Sequence, residues 1–168
     1  MKGFIPSGSI VAAVGLTCWL IANAAWAEID RDELRTALFS LHAHQTELAE
    51  LARDRAESDE VAQLGSTLER DHSILEEWLL AAGGHEEPPE QHSTAFYDNE
   101  AYEALGELDG EAFDEAFLAY QMDLHRAAIE YLERNRSPGD EQLDEFNNHL
   151  FVTLETLLVN GELIDSIR

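Results

Sequence analysis

Apolar residues between Asp30 and Ile164 recur at spacings of three and four, and no useful stretch alternates apolar with polar. That period belongs to helices with one buried stripe. The chain is therefore confined to an all-α class, and the pattern predicts no sheet. The first run starts near Asp30, where Glu33 three residues on forms a capping box, and its stripe is Leu34, Ala37, Leu41, Leu48 and Leu51. The second starts at Ser58-Asp59-Glu60, buries Val61, Leu64, Leu68, Leu75 and Leu79, and stops at Gly83-Gly84, a strong terminator. The third, from about Glu111 to Arg134, carries two stripes. Phe113, Phe117, Tyr120, Leu124 and Ala128 form one, and Leu118, Met122, His125, Ile129 and Leu132 form the other, which predicts broad burial or a second neighbour. The fourth runs from about Asp140 to Ile164 on Leu143, Phe146, Leu150, Leu154 and Leu157.

The segments between these runs fix how they connect. "HEEPPEQHSTAF" reads as loop by its prolines, a short helix from Asp98 to Leu108 comes next, and Asp109-Gly110 breaks the chain again. "RNRSPGD" is a tight connection. Two helical hairpins joined by a link from Gly83 to Gly110, long enough to run the length of a bundle, describe a ferritin-like four-helix bundle with a crossover between helices 2 and 3. An up-down-up-down bundle is the alternative, and it would not need so long a link.

Residues 1–27 read as a secretory signal peptide: Lys2 is the positive start, Ile10–Leu20 the apolar run, and Ala25-Trp26-Ala27 the cleavage signal. Cleavage after Ala27 predicts export to the periplasm or beyond, with 28–168 as one domain and no stable membrane insertion afterwards. The alternative is an uncleaved anchor, but the run is short for a span and carries Thr17 and Asn23. The single cysteine, Cys18, lies in this leader, so the mature chain beyond Ala27 has neither disulfides nor thiolate sites. The formal net charge is −25, and every basic residue after Lys2 is arginine. Such a balance argues against nucleic acid and anionic membranes as partners. The acids are spread over every segment, which fits a salt-adapted, halophilic surface.

The residues that carry chemistry interrupt the stripes. Relative to Leu68, His72 points about 40° to one side and Asp71 about 60° to the other, so both face the bundle interior. His44 occupies the first stripe with Gln45 beside it, and His125 lies between the two stripes of the third helix. His44, His72 and His125 each stand about 13 or 14 residues into their helices, hence at one level about 20 Å from a bundle end. His149 lies about 7 Å off that level. Glu76 and Glu155 are the nearest further carboxylates. Histidines on facing helices build metal sites in bundles, and a carboxylate beside them ligates or orients an imidazole. The predicted metal set is His44, His72, His125, Asp71 and His149. Only Glu69-x-x-His72 matches the Glu-x-x-His motif of di-iron bundles, so iron is disfavoured. Imidazoles suit copper or zinc, and Met122, one turn from His125, tilts toward copper, although a lone methionine is more often core filling. His42 sits about 100° off the first stripe and is expected at the surface; His85 and His92 lie in the acidic loop and are expected to be solvated.

"LERDHSILEEWLLAAG", a proline loop and then "LGELDGEAFDEAFLAYQMDLHRAAIEYLE" resemble a bacterial family of secreted ferritin-like proteins, catalogued as domain of unknown function 4142. Its most specific marks here are Asp71-His72, "GEAFDEAF" and His125. The family usually carries another histidine late in the last helix, where this chain has Leu157, with His149 two turns earlier. The resemblance implies a fold and an extracytoplasmic location more than an activity. No phosphate-cradling glycine pattern or serine or cysteine nucleophile motif is present, and no enzyme is predicted. Two roles fit these features. One is a periplasmic protein holding a divalent metal through interior histidines. The other is a structural or stress-linked bundle, or acidic adaptor for a protein partner, whose histidines form a buried polar layer without metal.

Overall fold

The computed structural model describes residues 30–83, 93, 95–135 and 144–168. The expected leader, the loop histidines His85 and His92, and the expected start of the last helix at Asp140 lie outside them. Five helices are present: α1 (Arg31–Arg55), α2 (Asp59–Gly83), the short α3 (Asn99–Gly106), α4 (Gly110–Asn135) and α5 (Glu145–Ile167). Among the described residues there is no strand, as the periodicity requires. Aspartates start three of the helices, Asp30, Asp98 and Asp144 each accepting from a backbone N–H of the first turn. This satisfies donors that have no partner within the helix.

Polar contacts at the two ends establish the topology. Glu57, at the α1–α2 turn, accepts the Glu111 N–H at 3.0 Å, and Asp114 accepts the N–H groups of Glu57 and Ser58. Helix α4 therefore starts at the end where α2 starts. At the opposite end Arg31 pairs with Asp144, and the Trp78 indole donates to Glu145 at 3.3 Å. Helices α1 and α5 thus start together, where α2 finishes. In cross-section the corners run α1, α2, α5, α4, and the chain returns along the bundle between α2 and α4. This is the crossover arrangement; an up-down-up-down chain would start α4 where α2 ends.

The returning segment lies against α1 and α4. Ser93 N–H donates to Ser40 Oγ of α1 at 2.7 Å, Phe96 sets its ring edge-on to Tyr131 of α4 at 4.8 Å, and α3 packs on α4. Covered by α2, by α4 and by this strap, α1 is buried without interruption from Ala37 to His42 and again at His44 and Gln45. Leucine and phenylalanine make up most of the apolar core, including Leu38, Leu41, Leu68, Phe113, Phe117 and Leu157.

Helices α1 and α2 approach closely at Gly65, where an added Cβ would stand 2.7 Å from the Ala52 Cβ and 3.5 Å from the Ala49 backbone. Gly161 on α5 has open space around its Cβ direction. Removing a helical glycine gains about 1 kcal/mol of propensity, whereas overpacking costs about 1–3 kcal/mol. Urea unfolding should therefore show Gly161→Ala stabilised by up to about 1 kcal/mol and Gly65→Val destabilised by about 1–3 kcal/mol. Equal effects at the two positions would refute the close approach.

Candidate functional site: four imidazoles in the bundle core

Each of the four bundle helices sends one histidine to the centre: His42 from α1, His72 from α2, His125 from α4 and His149 from α5. All four are at most 1% exposed. His42 Nδ1 and His72 Nδ1 are 2.9 Å apart, and their ring centroids are separated by 5.1 Å. The rings of His72 and His125, and of His42 and His149, stand edge-to-face at 6.0 Å. The imidazoles thus form a chain, His149–His42–His72–His125, across the bundle.

Proton placement is set by the partners. Carbonyl oxygens only accept, so His125 carries its proton on Nδ1, donated to Gln121 O at 2.8 Å, and presents a bare Nε2 lone pair. His149 carries its proton on Nε2, donated to Leu75 O at 2.9 Å. Its Nδ1 accepts the more distant Thr153 hydroxyl at 3.4 Å. Between His42 and His72 one Nδ1 donates and the other accepts; the accepting ring, if neutral, must hold its proton on Nε2. The Nε2 atoms of His42, His72 and His125 are buried without a hydrogen-bond partner. An unpaired buried polar group costs about 1–3 kcal/mol, so the core carries several such penalties at one level. Beside it, Gln45 and Gln121 exchange two amide hydrogen bonds of 3.0 Å each.

The same burial keeps the rings uncharged. It lowers His42 to about 3, aided by His149, and His125 to about 4 against the opposing Gln121 hydrogen bond. His72 falls well below 6.5 through burial and then its neighbours His42 and His125, and burial also lowers His149. Neutral imidazoles are the form that ligates metal. Even so, among the described residues no three His, Cys, Asp or Glu side chains are already set as a metal-holding group.

Of the predicted set, His72, His125 and His149 come together and two members do not. Asp71 pairs with Arg70 at 3.1 Å, with its side chain 26% exposed, and faces the groove between α2 and α5. His44 points the other way, under the strap. His42, expected at the surface, is fully buried and is the close partner of His72. Two residues apart on a helix means about 160° apart in direction, so only one of His42 and His44 can face the centre. The leucines of α1 selected the wrong one, because the true seam is completed by Ala49 and Ala52 against Gly65, residues too small to weight a hydrophobic stripe. Glu76 is half-buried and Glu155 exposed, and among the described residues no carboxylate reaches the four imidazoles.

His44 builds a second cluster. Its ring stacks on Tyr97 at 4.0 Å and meets Tyr102 edge-on at 4.7 Å. Nδ1 lies 3.3 Å from Glu47 Oε2, and Nε2 lies 2.7 Å from Tyr120 Oη. A carboxylate accepts, so His44 donates through Nδ1 and accepts a hydrogen bond from the Tyr120 hydroxyl on Nε2. Burial holds the Tyr120 phenol well above its ordinary pKa, with the nearby Tyr97, Tyr102, Asp98 and Glu47 adding to it, so the phenol keeps its proton.

Fold and core together define a strongly acidic four-helix bundle with a crossover strap and a histidine centre. The chain belongs to the family described as Domain of unknown function (DUF4142), whose model matches residues 21–159. Among solved structures it is similar to a DUF305 protein of Streptomyces coelicolor described, by inference, as secreted. The two share 14% identity with a TM-score of 0.62, over 79% of this chain and 86% of that one; at that identity the likeness shows the fold alone. No curated protein matches. Among the described residues no helix is long and apolar enough to cross a membrane.

Proposed function

We propose that the protein is a non-enzymatic, exported binding protein that takes up one divalent transition-metal ion at the four-imidazole core. The observation that carries this reading is the set of three buried, partnerless Nε2 atoms on His42, His72 and His125. A metal ion at all three would relieve their desolvation, and it requires the ring whose Nδ1 accepts to move its proton off Nε2, which ends the His42–His72 hydrogen bond. His149 would complete the set through Nδ1, whose existing hydrogen bond is the longest in the cluster. An all-imidazole donor set favours copper or zinc, and the lack of a core carboxylate among the described residues disfavours iron. Export is supported by the leader-like residues 1–27 and by the description of the similar Streptomyces protein. An acidic exterior with no lysine after Lys2 suits concentrated salt.

Calorimetric titration of the purified protein with copper(II) or zinc(II), in competition with a chelator, tests the reading. One equivalent should bind, and His72→Leu should weaken it by at least about 100-fold while the helical circular dichroism persists, since removing one ligand removes a metal–nitrogen bond. Binding that is weak, multiple and unchanged in His72→Leu would be that of the acidic surface and would refute the site. A second reading, a metal-free polar layer fixing helix register, is favoured by the carbonyl anchors on His125 and His149. It predicts no stoichiometric metal and a stability change alone.

A further inference from the structure

A groove of about 720 Å³ opens between α4 and the strap, away from the imidazole core. That volume is within the range of small-molecule sites, about 300–1,000 Å³. Its walls are mostly apolar and include four alanines of the two helices facing each other across it, Ala101, Ala104, Ala116 and Ala119, with Tyr97 and Tyr120. Small residues on both walls leave the space open.

Three polar side chains of the groove, Tyr120, Asp98 and Asp123, present acceptors. Tyr120 donates its hydroxyl hydrogen bond to His44 at 2.7 Å, and His44 is fixed in that tautomer by Glu47. The phenol oxygen of this lining residue is therefore left as an acceptor. Asp98 also lines it, and its Oδ1 alone takes the α3 capping bonds from Glu100 and Ala101, so Oδ2 adds a second acceptor. Asp123 is a weaker third, because it pairs with Arg126 at 3.0 Å. Among the described residues no arginine lines the groove. Acceptors and carboxylates beside tyrosine rings reject anions and suit a positively charged donor with an apolar body.

We propose that this groove binds an organic ammonium ion carrying an aromatic or aliphatic body. The body lies between the alanines of α3 and α4, and the ammonium group donates to Tyr120 Oη and Asp98. The Glu47–His44 pair is then a positioning device that holds the Tyr120 oxygen in its accepting state.

Saturation-transfer NMR and calorimetry on the metal-free folded protein, in moderate salt, test this with three probes. Phenethylamine has body and charge, 3-phenylpropionate has the body with the opposite charge, and methylammonium has the charge without the body. Saturable binding of phenethylamine alone is expected. It should weaken about tenfold in Tyr120→Phe, the effect of one lost hydrogen bond, and vanish in Ala119→Trp, which fills the groove from an exposed helix position. Absence of phenethylamine binding, or equal binding of 3-phenylpropionate, overturns the proposal. So does a phenethylamine affinity matched by methylammonium and untouched by Ala119→Trp, which would mark attraction to the acidic surface in general. Should Tyr120→Phe lose its helical signal, the Ala119→Trp arm decides alone. Metal binding at the core enters none of these outcomes.

Discussion

Lowering the pH from about 7 to about 4.5 should remove most of the protein's stability, on the order of 5 kcal/mol, through the core histidines. The unfolded chain protonates these imidazoles near 6.5, whereas the folded chain holds His42 to about 3 and His125 to about 4. Between those values the unfolded state binds more protons, so stability is full above 6.5 and declines as the pH falls. Each buried ring contributes up to about 1.4 kcal/mol per pH unit in that window. An opposing effect comes from the 35 carboxylic acids, whose mutual repulsion eases on acidification. Those charges are largely exposed and screened, so the two buried imidazoles dominate. Urea midpoints measured across this range, with a chelator present, should fall steadily below pH 6.5. A flat or rising profile would mean that water reaches the histidine core.

Leucine at both His42 and His72 should cost far less than leucine at either one. The pair meets through a single Nδ1–Nδ1 hydrogen bond of 2.9 Å in a fully buried site. A single replacement strips the other ring of its only partner, a penalty of about 1–3 kcal/mol. The double replacement removes both sets of polar atoms and is expected to be neutral within about 1 kcal/mol, or stabilising. A double-mutant cycle should give a coupling energy of about 2 kcal/mol, and the doubly substituted protein should show a shallower acid response. Additive losses would show that the rings do not meet. Metal uptake, by contrast, should fail in all three variants.

The helices and their crossover were legible because burial on one stripe leaves a period, and glycine and proline mark where it stops. α4 carried two stripes because it faces both the bundle and α3. His72 read correctly as an inward imidazole for the same reason: Leu68, Leu75 and Leu79 fix the face of α2. Helix α1 resisted this treatment. It is enclosed on almost every side, so its sequence "ALFSLHAHQ" lacks a polar face to mark the outside, and the choice between His42 and His44 depended on the strap. The small seam residues Ala49, Ala52 and Gly65 hold the decisive information, since only their close fit fixes the rotation of α1 against α2. Asp71 was placed inward by its angle of about 60° from Leu68, yet that offset carries its side chain into the groove between α2 and α5, where it pairs with Arg70.

The strap gives the molecule two shells that come apart at different costs. An eight-residue helix does not persist alone in water, and α3 spans only Asn99–Gly106. Its grip on α1 includes the Ser93–Ser40 bond, the Tyr97 and Tyr102 contacts with His44, and the Arg55 bonds to Leu108 O and Asp109. Local opening there would bare His44 and Ser40 to solvent while the His42–His72 pair stays sealed between α1 and α2. Amide exchange in the strap therefore reports partial opening, whereas exchange around Gln121 and Leu75, whose carbonyls anchor the core rings, requires the whole bundle to unfold. An ammonium ligand would tighten the outer shell and a metal ion the inner one, so the two occupancies leave separate footprints on the same chain.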